Sequence, residues 1–167
     1  MITIAITREA ANEPRVALSP ETTKKFKGLG CRILFESGAG DRSFMPDKLF
    51  SDAGAEIVTG AEDALSNADV VLKVGRPTDA ELSAVRHDAI VAAMLDPFSD
   101  RAGLEAIAAK TGSAFAMEFM PRITRAQSMD VLSSQANLAG YRAVIEGAAA
   151  FDRGFAMMMT AAGTVPP

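Results

Sequence analysis

The residues best able to do chemistry crowd into one stretch of this chain. Between Pro121 and Ser133 the sequence reads Pro-Arg-Ile-Thr-Arg-Ala-Gln-Ser-Met-Asp-Val-Leu-Ser. Four of its side chains, Arg122, Gln127, Asp130 and Ser133, donate or accept hydrogen bonds in defined directions. An arginine and an aspartate can hold each other in place while one of them hydrogen-bonds an amide such as a carboxamide. The same spacing suits a surface loop with an ordinary ion pair, and spacing alone leaves both readings open. Other candidates are weaker. Gly38-Ala39-Gly40 follows an expected strand, as a phosphate-binding loop would, but Ser43 and then Phe44-Met45-Pro46 stand where a helix should offer its amides. That stretch reads as a strand-to-helix turn. His87, between Arg86 and Asp88, reads as a solvated turn residue, and one cysteine with one histidine cannot build a typical zinc centre. No metal is expected.

The elements that must position the 121–133 stretch follow from pattern. Short apolar runs alternate with helical patterns, punctuated by Gly and Pro, which is the signature of an α/β domain. Strands are expected near Ile2–Ile6, Arg32–Glu36, Glu56–Val58, Asp69–Val74, Ala89–Met94 and Ala114–Met117. Ser19-Pro20-Glu21 supplies a cap, a first-turn proline and an acid for a helix closed by Gly28 and Gly30. Further helices fit Pro46–Ala53, Ala61–Ser66, Asp79–Val85 and Arg101–Lys110. Continuous apolar runs such as Val70-Val71-Leu72 suit a parallel sheet buried on both faces. Residues 118–132 read as a long loop, and a helix from about Ser134 to Phe151 follows from the spacing of Leu138, Tyr141, Arg142, Ile145 and Ala149. On that helix Ala136, Gly140, Ala143, Gly147 and Ala150 form a stripe of small residues, which suits close packing against another helix or a second subunit. The final stretch from Phe155 shows no strand pair, helix or cap.

Composition narrows the function classes. The 167 residues are 49% hydrophobic and 23% charged with a net charge of −4, which argues for a folded domain and against nucleic acid as a partner. Lys24, Lys25 and Lys27 fall in the last turn of the first helix, where cations complement the dipole. The single Cys31 excludes an internal disulfide and suits a reducing compartment. The N-terminus lacks the basic start and apolar run of a signal peptide. Apolar stretches such as Ala89–Leu95 are far short of the roughly 20 residues that cross a bilayer, so no direct membrane insertion is expected.

Three segments together resemble one family. Met117-Glu118-Phe119-Met120-Pro121-Arg122, Arg125-Ala126-Gln127-Ser128-Met129-Asp130-Val131-Leu132-Ser133-Ser134-Gln135 and Asn137-Leu138-Ala139-Gly140-Tyr141-Arg142-Ala143-Val144 look like the signature of the NAD(H)-binding alpha subunit (domain I) of proton-translocating nicotinamide nucleotide transhydrogenases. Met157 to Pro167 resembles the segment just before that family's Rossmann strand and glycine fingerprint. Glu13-Pro14-Arg15-Val16-Ala17-Leu18-Ser19-Pro20 also matches and is shared with the related alanine dehydrogenases. The resemblance implies a flavodoxin- or Rossmann-like α/β domain over residues 1–133 with helices on both faces, a connecting helix over 134–153, and the start of a truncated NAD-binding domain over 154–167. The second, Rossmann domain is expected to be missing. It implies NAD(H) in the complete subunit, NADP(H) on a partner component, a homodimer, a membrane-embedded proton-channel subunit, and a cytoplasmic place peripheral to the inner membrane. Arg122, Gln127 and Asp130 match the family's residues around the reacting nicotinamides, and Ser133 joins them in binding the cofactor.

Within that resemblance the chain departs from the dehydrogenases. Arg15 and Lys73 match positions that bind the oxo acid in those enzymes, but the region expected to carry their catalytic histidine reads Met94-Leu95-Asp96-Pro97. Two alternatives are kept: a fragment of an alanine dehydrogenase-like enzyme, and a non-catalytic dimerisation module. On the transhydrogenase reading, residues 1–167 alone are expected to bind NADH weakly and to be inactive.

Overall fold

The computed structural model describes residues 1–166. They form two compact units, one over Met1–Phe119 and one from Met120 onward. In the first unit six strands, β1 (Thr3–Ile6), β2 (Arg32–Glu36), β3 (Glu56–Val58), β4 (Val70–Leu72), β5 (Ile90–Ala93) and β6 (Ser113–Ala116), alternate with helices α1 (Pro20–Gly28), α2 (Asp47–Asp52), α3 (Ala61–Leu65), α4 (Asp79–Ala84) and α5 (Arg101–Lys110). All neighbouring strands pair in parallel, in the order β3-β2-β1-β4-β5-β6. That is the doubly wound order of a Rossmann fold, with its reversal point between β1 and β4.

Period-two alternation divides the strand residues between two cores. Ile4, Ile6, Ile33 and Phe35 pack with Leu18, Phe26 and Phe50 from the side of α1 and α2. Ala5, Leu34, Val71 and Val91 pack with Ala64, Leu65 and Val85 from the side of α3 and α4. Leu82, Ala93, Leu95 and Ile107 extend the core toward α5. The Phe35 and Phe50 rings stack with centroids 3.9 Å apart, and both side chains are fully buried. Each contributes roughly 1.5–3 kcal/mol through burial.

Helix ends form where the sequence supplies their caps. Ser19 accepts from Thr22 N at 3.2 Å and Pro20 opens α1. Thr78 and Glu81 form a reciprocal capping box on α4. The Gly38-Ala39-Gly40 stretch is a packed turn. Gly38 has a φ of +74°, and a Cβ on Gly40 would overlap the Met45 carbonyl and come within 2.7 Å of the Phe50 ring. Both glycines are thus accounted for by geometry.

In the second unit a loop with a short 3₁₀ turn, Gln127–Met129, leads into α6 (Val131–Ala150), a 20-residue helix none of whose residues is buried. It opens three residues earlier than the Ser134 start read from periodicity, because Asp130 caps it. The stretch after Phe155, expected to hold no strand pair, contains an antiparallel hairpin of β7 (Met158–Thr160) and β8 (Gly163–Val165), and this expectation is corrected. Thr160 Oγ1 donates to the Gly163 carbonyl across its turn at 3.0 Å. No helix of the described residues is long and apolar enough to cross a membrane.

Candidate functional site

The 121–133 segment is built by its own short hydrogen bonds. Ile123 N donates to Pro121 O, Ala126 N to Ile123 O and Met129 N to Ala126 O, each at 2.9 Å, so the backbone winds in successive tight turns around the buried Ala126. Asp130 ends this winding. Its Oδ1 accepts from Leu132 N and Ser133 N at 3.0 Å, and the Ser133 hydroxyl donates to Oδ2 at 2.6 Å. Those bonds, the Ser133 hydroxyl foremost, hold the Asp130 carboxyl below its ordinary range, with a smaller contribution from the positive charge of Arg122. An ionised aspartate at a helix N-terminus also interacts favourably with the helix dipole.

The four expected site residues therefore divide. Asp130 and Ser133 are joined directly. Arg122 acts on Asp130 through its field, without the mutual clamp that their pairing suggested. Gln127 opens the 3₁₀ turn with an exposed side chain whose amide makes no hydrogen bond to the described residues. A fixed acceptor, a fixed hydroxyl, an exposed guanidinium and an uncommitted amide can recognise a planar carboxamide.

The reversal point of the sheet, where open α/β folds commonly take their ligand, is filled by the chain itself. Lys73, just after β4, donates from Nζ to Thr7 Oγ1 at 3.0 Å, to Arg8 O at 2.7 Å and to Glu81 Oε1 at 2.7 Å, which uses all three of its protons. Glu9 Oε2 lies 3.9 Å away, and the Lys73 and Glu9 side chains are each 2% exposed. Burial pushes the Glu81 carboxyl up, but its hydrogen bonds from Lys73, Thr78 and Thr7 and the Lys73 charge outweigh this and hold it below the usual range. Carboxylates also take the backbone N–H groups that face the crevice. Glu36 accepts from Arg8 N at 2.8 Å, and Glu9 accepts from Val74 N at 2.7 Å and Gly75 N at 3.2 Å. Arg15 is held in a fork by Glu13, at 2.8 and 2.6 Å. Those bonds lower the Glu13 carboxyl and raise the Arg15 guanidinium. The cleft left beside them, lined by Arg8, Glu9, Arg15, Gly38 and Arg42, measures about 80 Å³, against roughly 300–1,000 Å³ for ordinary ligand pockets.

Sequence reasoning singled out Arg15 and Lys73 and missed Glu9, Glu36 and Glu81. Only Glu81 left a local signal, as the third residue after the capping Thr78. His87 is exposed in the turn before β5, and Cys31 is half-buried against the core beside α1. Among the described residues no group of three or more His, Cys, Asp or Glu could hold a metal ion.

Comparison with known proteins bears on this geometry. The profile of the family described as alanine dehydrogenase/PNT, N-terminal domain, matches residues 5–139. The chain is 51% identical over 170 residues to the first of the separately encoded pieces of NAD(P) transhydrogenase subunit alpha in Rhodospirillum rubrum, across 98% of this chain and 44% of that protein. It is 31% identical over 137 residues to the alanine dehydrogenase of Mycobacterium tuberculosis, across 82% of this chain and 36% of that one. Among solved structures, a transhydrogenase from Sinorhizobium meliloti superposes with a TM-score of 0.90 at 54% identity, over 98% of this chain and 49% of that one. The chain thus spans less than half the length of these relatives. With the parallel sheet, the strand order and the matched residues in agreement, the chain belongs to the alanine dehydrogenase/PNT N-terminal domain family.

Proposed function

We propose that this chain is the nicotinamide-facing half of the NAD(H)-binding alpha subunit of a nicotinamide nucleotide transhydrogenase, which passes hydride between NAD(H) and NADP(H) in step with proton translocation. The observation that carries the reading is the division of the 121–133 segment. Asp130 and Ser133 are fixed to each other and to the start of α6, while the Arg122 and Gln127 side chains stand exposed beside them.

The residues present fit one end of a dinucleotide. The carboxamide end has donors and acceptors in the segment; the adenosine and pyrophosphate end has no cradle, since Gly38 to Gly40 is a packed turn and the reversal point is filled by Lys73 and the carboxylates. The nicotinamide ring, when bound, supplies the hydride chemistry. What falls to the chain is orientation. Gln127 and Arg122 hold the carboxamide, Asp130 keeps the Ser133 hydroxyl and the first turn of α6 in place, and the segment excludes water. Two rings must meet within roughly 3–3.5 Å at the reacting atoms, and orientation supplies much of the acceleration. No acid or base is required for the hydride step.

The amino-acid dehydrogenase alternative is disfavoured by the same structure. Lys73 has no proton left for an oxo acid, Arg15 is forked onto Glu13, and Leu95-Asp96 follows β5 without a histidine. The proposed partners are a second copy of the subunit, a membrane-embedded proton-channel subunit and an NADP(H)-binding subunit, with the chain in the cytoplasm, peripheral to the inner membrane. The small-residue stripe of α6 supports the homodimer: a Cβ on Gly140 or Gly147 would meet nothing within 4 Å.

The test uses the complete subunit with its partner components. Gln127→Asn withdraws the amide by one methylene and should leave NADH affinity nearly unchanged while hydride transfer falls at least about tenfold, roughly 1.4 kcal/mol in barrier. Arg122→Ala and Asp130→Asn should slow transfer comparably. Parental rates in all three variants would reduce the segment to a surface connection.

A further inference from the structure

Three loops on the carboxyl edge of the sheet are tied together by side chains that the functional reading above does not use. The loop after β4 carries Arg76, the loop after β5 runs from Met94 to Asp100, and the turn after β6 carries Glu118 and Phe119. Arg76 donates from Nη2 to the Leu95 carbonyl and from Nη1 to Asp100, the residue that caps α5 through Gly103 N. A Cβ on Gly103 would overlap this guanidinium, so the glycine is what lets Arg76 lie across the start of α5. From the other side, Glu118 Oε1 accepts the Asp96 N–H at 2.7 Å. The Leu95 carbonyl and the Asp96 N–H belong to one peptide plane, which is therefore gripped by a guanidinium at one end and a carboxylate at the other.

That peptide needs gripping. Asp96 has a φ of +50°, a left-handed conformation that costs an L-residue roughly 1–2 kcal/mol and persists only where its surroundings over-determine it. The rings of Phe98 and Phe119 meet edge-on, 5.4 Å apart at 76°, and link the same two loops while remaining 83% and 60% exposed. Each gripping group also carries an unmet cost: Arg76 Nε and Glu118 Oε2 are buried without a hydrogen-bond partner among the described residues. An arrangement selected for stability alone would satisfy both atoms, because a buried unpaired polar group is destabilising.

We propose that Arg76 and Glu118 are positioning residues for the hydride-transfer site, acting through the Leu95–Asp96 peptide to fix the turn from which the nicotinamide-facing segment departs. The proposal rests on the functional reading above. Arg122 follows Glu118 by four residues, so a rotation of the Met117–Phe119 turn is handed along the backbone to Pro121 and Arg122. Neither Arg76 nor Glu118 touches the reacting atoms in this scheme; each sets where other side chains stand.

The experiment uses the complete subunit with its NADP(H)-binding and membrane components, with rates expressed per titrated active site so that loss of folded protein does not count. Glu118→Asp withdraws the carboxylate by one methylene, whereas Glu118→Gln keeps the length and the acceptor and removes the charge. Glu118→Asp should lower kcat at least fivefold, raise the primary isotope effect with 4-deuterated NADH and leave KM for NADH within twofold. Glu118→Gln should stay within twofold of the parent throughout. Arg76→Lys should resemble Glu118→Asp, and the double variant should fall no further than the worse single one, because both act on one peptide. A parental rate per site in Glu118→Asp, even with a lowered melting temperature, overturns the proposal. So does a Glu118→Gln variant as slow as Glu118→Asp, which would assign the effect to charge. Gln127→Asn runs alongside. If it slows transfer while Glu118→Asp does not, this inference alone fails; if it too transfers at the parental rate, the site reading beneath both has failed.

Discussion

Replacing Glu81 with leucine removes the one charged acceptor bonded to a lysine that is 2% exposed. Lys73 would keep Thr7 Oγ1 and the Arg8 carbonyl, both neutral, and would have the Glu9 carboxylate only at 3.9 Å. Breaking a buried pair by removing one partner costs about 3–5 kcal/mol. The residual attraction of Glu9 places the expected loss near the lower end, about 3 kcal/mol, or about 6–12 °C in melting temperature for a chain of this size. Urea unfolding of the 167-residue chain at neutral pH measures it directly. The double variant Lys73→Met, Glu81→Leu replaces both charges with apolar groups and should recover to within about 1 kcal/mol of the parent, since apolar replacements of buried pairs are often neutral. The pH dependence has a definite sign. The Glu81 carboxyl is lowered in the folded chain, so its stabilisation is present above the unfolded carboxylate pKa of about 4.3 and is lost as pH falls through the folded value. Glu81→Leu should lack that share of the acid sensitivity. A Glu81→Leu chain within about 0.5 kcal/mol of the parent, the range of ordinary surface substitutions, would refute the assignment of this network to stability, as would a double variant no better than the single.

Gly40→Ala should destabilise the chain by about 1–3 kcal/mol through overpacking against Met45 and Phe50, seen as a lower urea midpoint with an unchanged slope. Asp130→Ala should remove the cap of α6 at a cost of about 0.5–2 kcal/mol and reduce helical circular dichroism, whereas Asp130→Asn should largely keep it. Because the Asp130 carboxyl is lowered, the cap's charge-dependent contribution is present above the ordinary aspartate range and disappears as pH falls below it. Gly140→Leu should shift the monomer–dimer equilibrium toward monomer in analytical ultracentrifugation; an unchanged equilibrium would remove the stripe from the proposed dimer contact.

Much of the fold was legible because its signals are local. Val70-Val71-Leu72 had to be buried on both faces, and Ser19-Pro20 and Thr78 with Glu81 mark helix starts by their own hydrogen bonds. The strand order was not legible, since nothing in a strand's sequence names its neighbour. The start of α6 was missed because Asp130 was read for its charge toward a ligand, while its carboxylate is also engaged in capping. The β7–β8 hairpin escaped because Met158-Met159-Thr160 has no alternation and its turn, Ala161-Ala162, lacks the usual turn residues. The candidate segment was legible in composition, but the grouping within it was not: periodicity cannot say that Ser133 returns to Asp130 while Gln127 stays apart. Glu9, Glu36 and Glu118 looked like solvated turn acids. What buries them or holds them in place is backbone N–H groups from 22 to 66 residues away in sequence, a distance over which no local pattern reports.

The carboxylates that close the crevice carry one more consequence, for the order in which the protein can be made. A nucleotide-binding sheet whose edge amides await a phosphate gains stability by mass action when that ligand arrives. Here the amides of Arg8, Val74 and Gly75 already have their anions, supplied by Glu36 and Glu9 of the same sheet. The sheet is complete within residues 3–116, so during synthesis, at about 5–20 residues per second with N-terminal domains folding first, this unit can close into its native form before residue 121 has been made. It therefore needs no cofactor as a folding chaperone, and a cell depleted of NAD(H) should accumulate it fully folded.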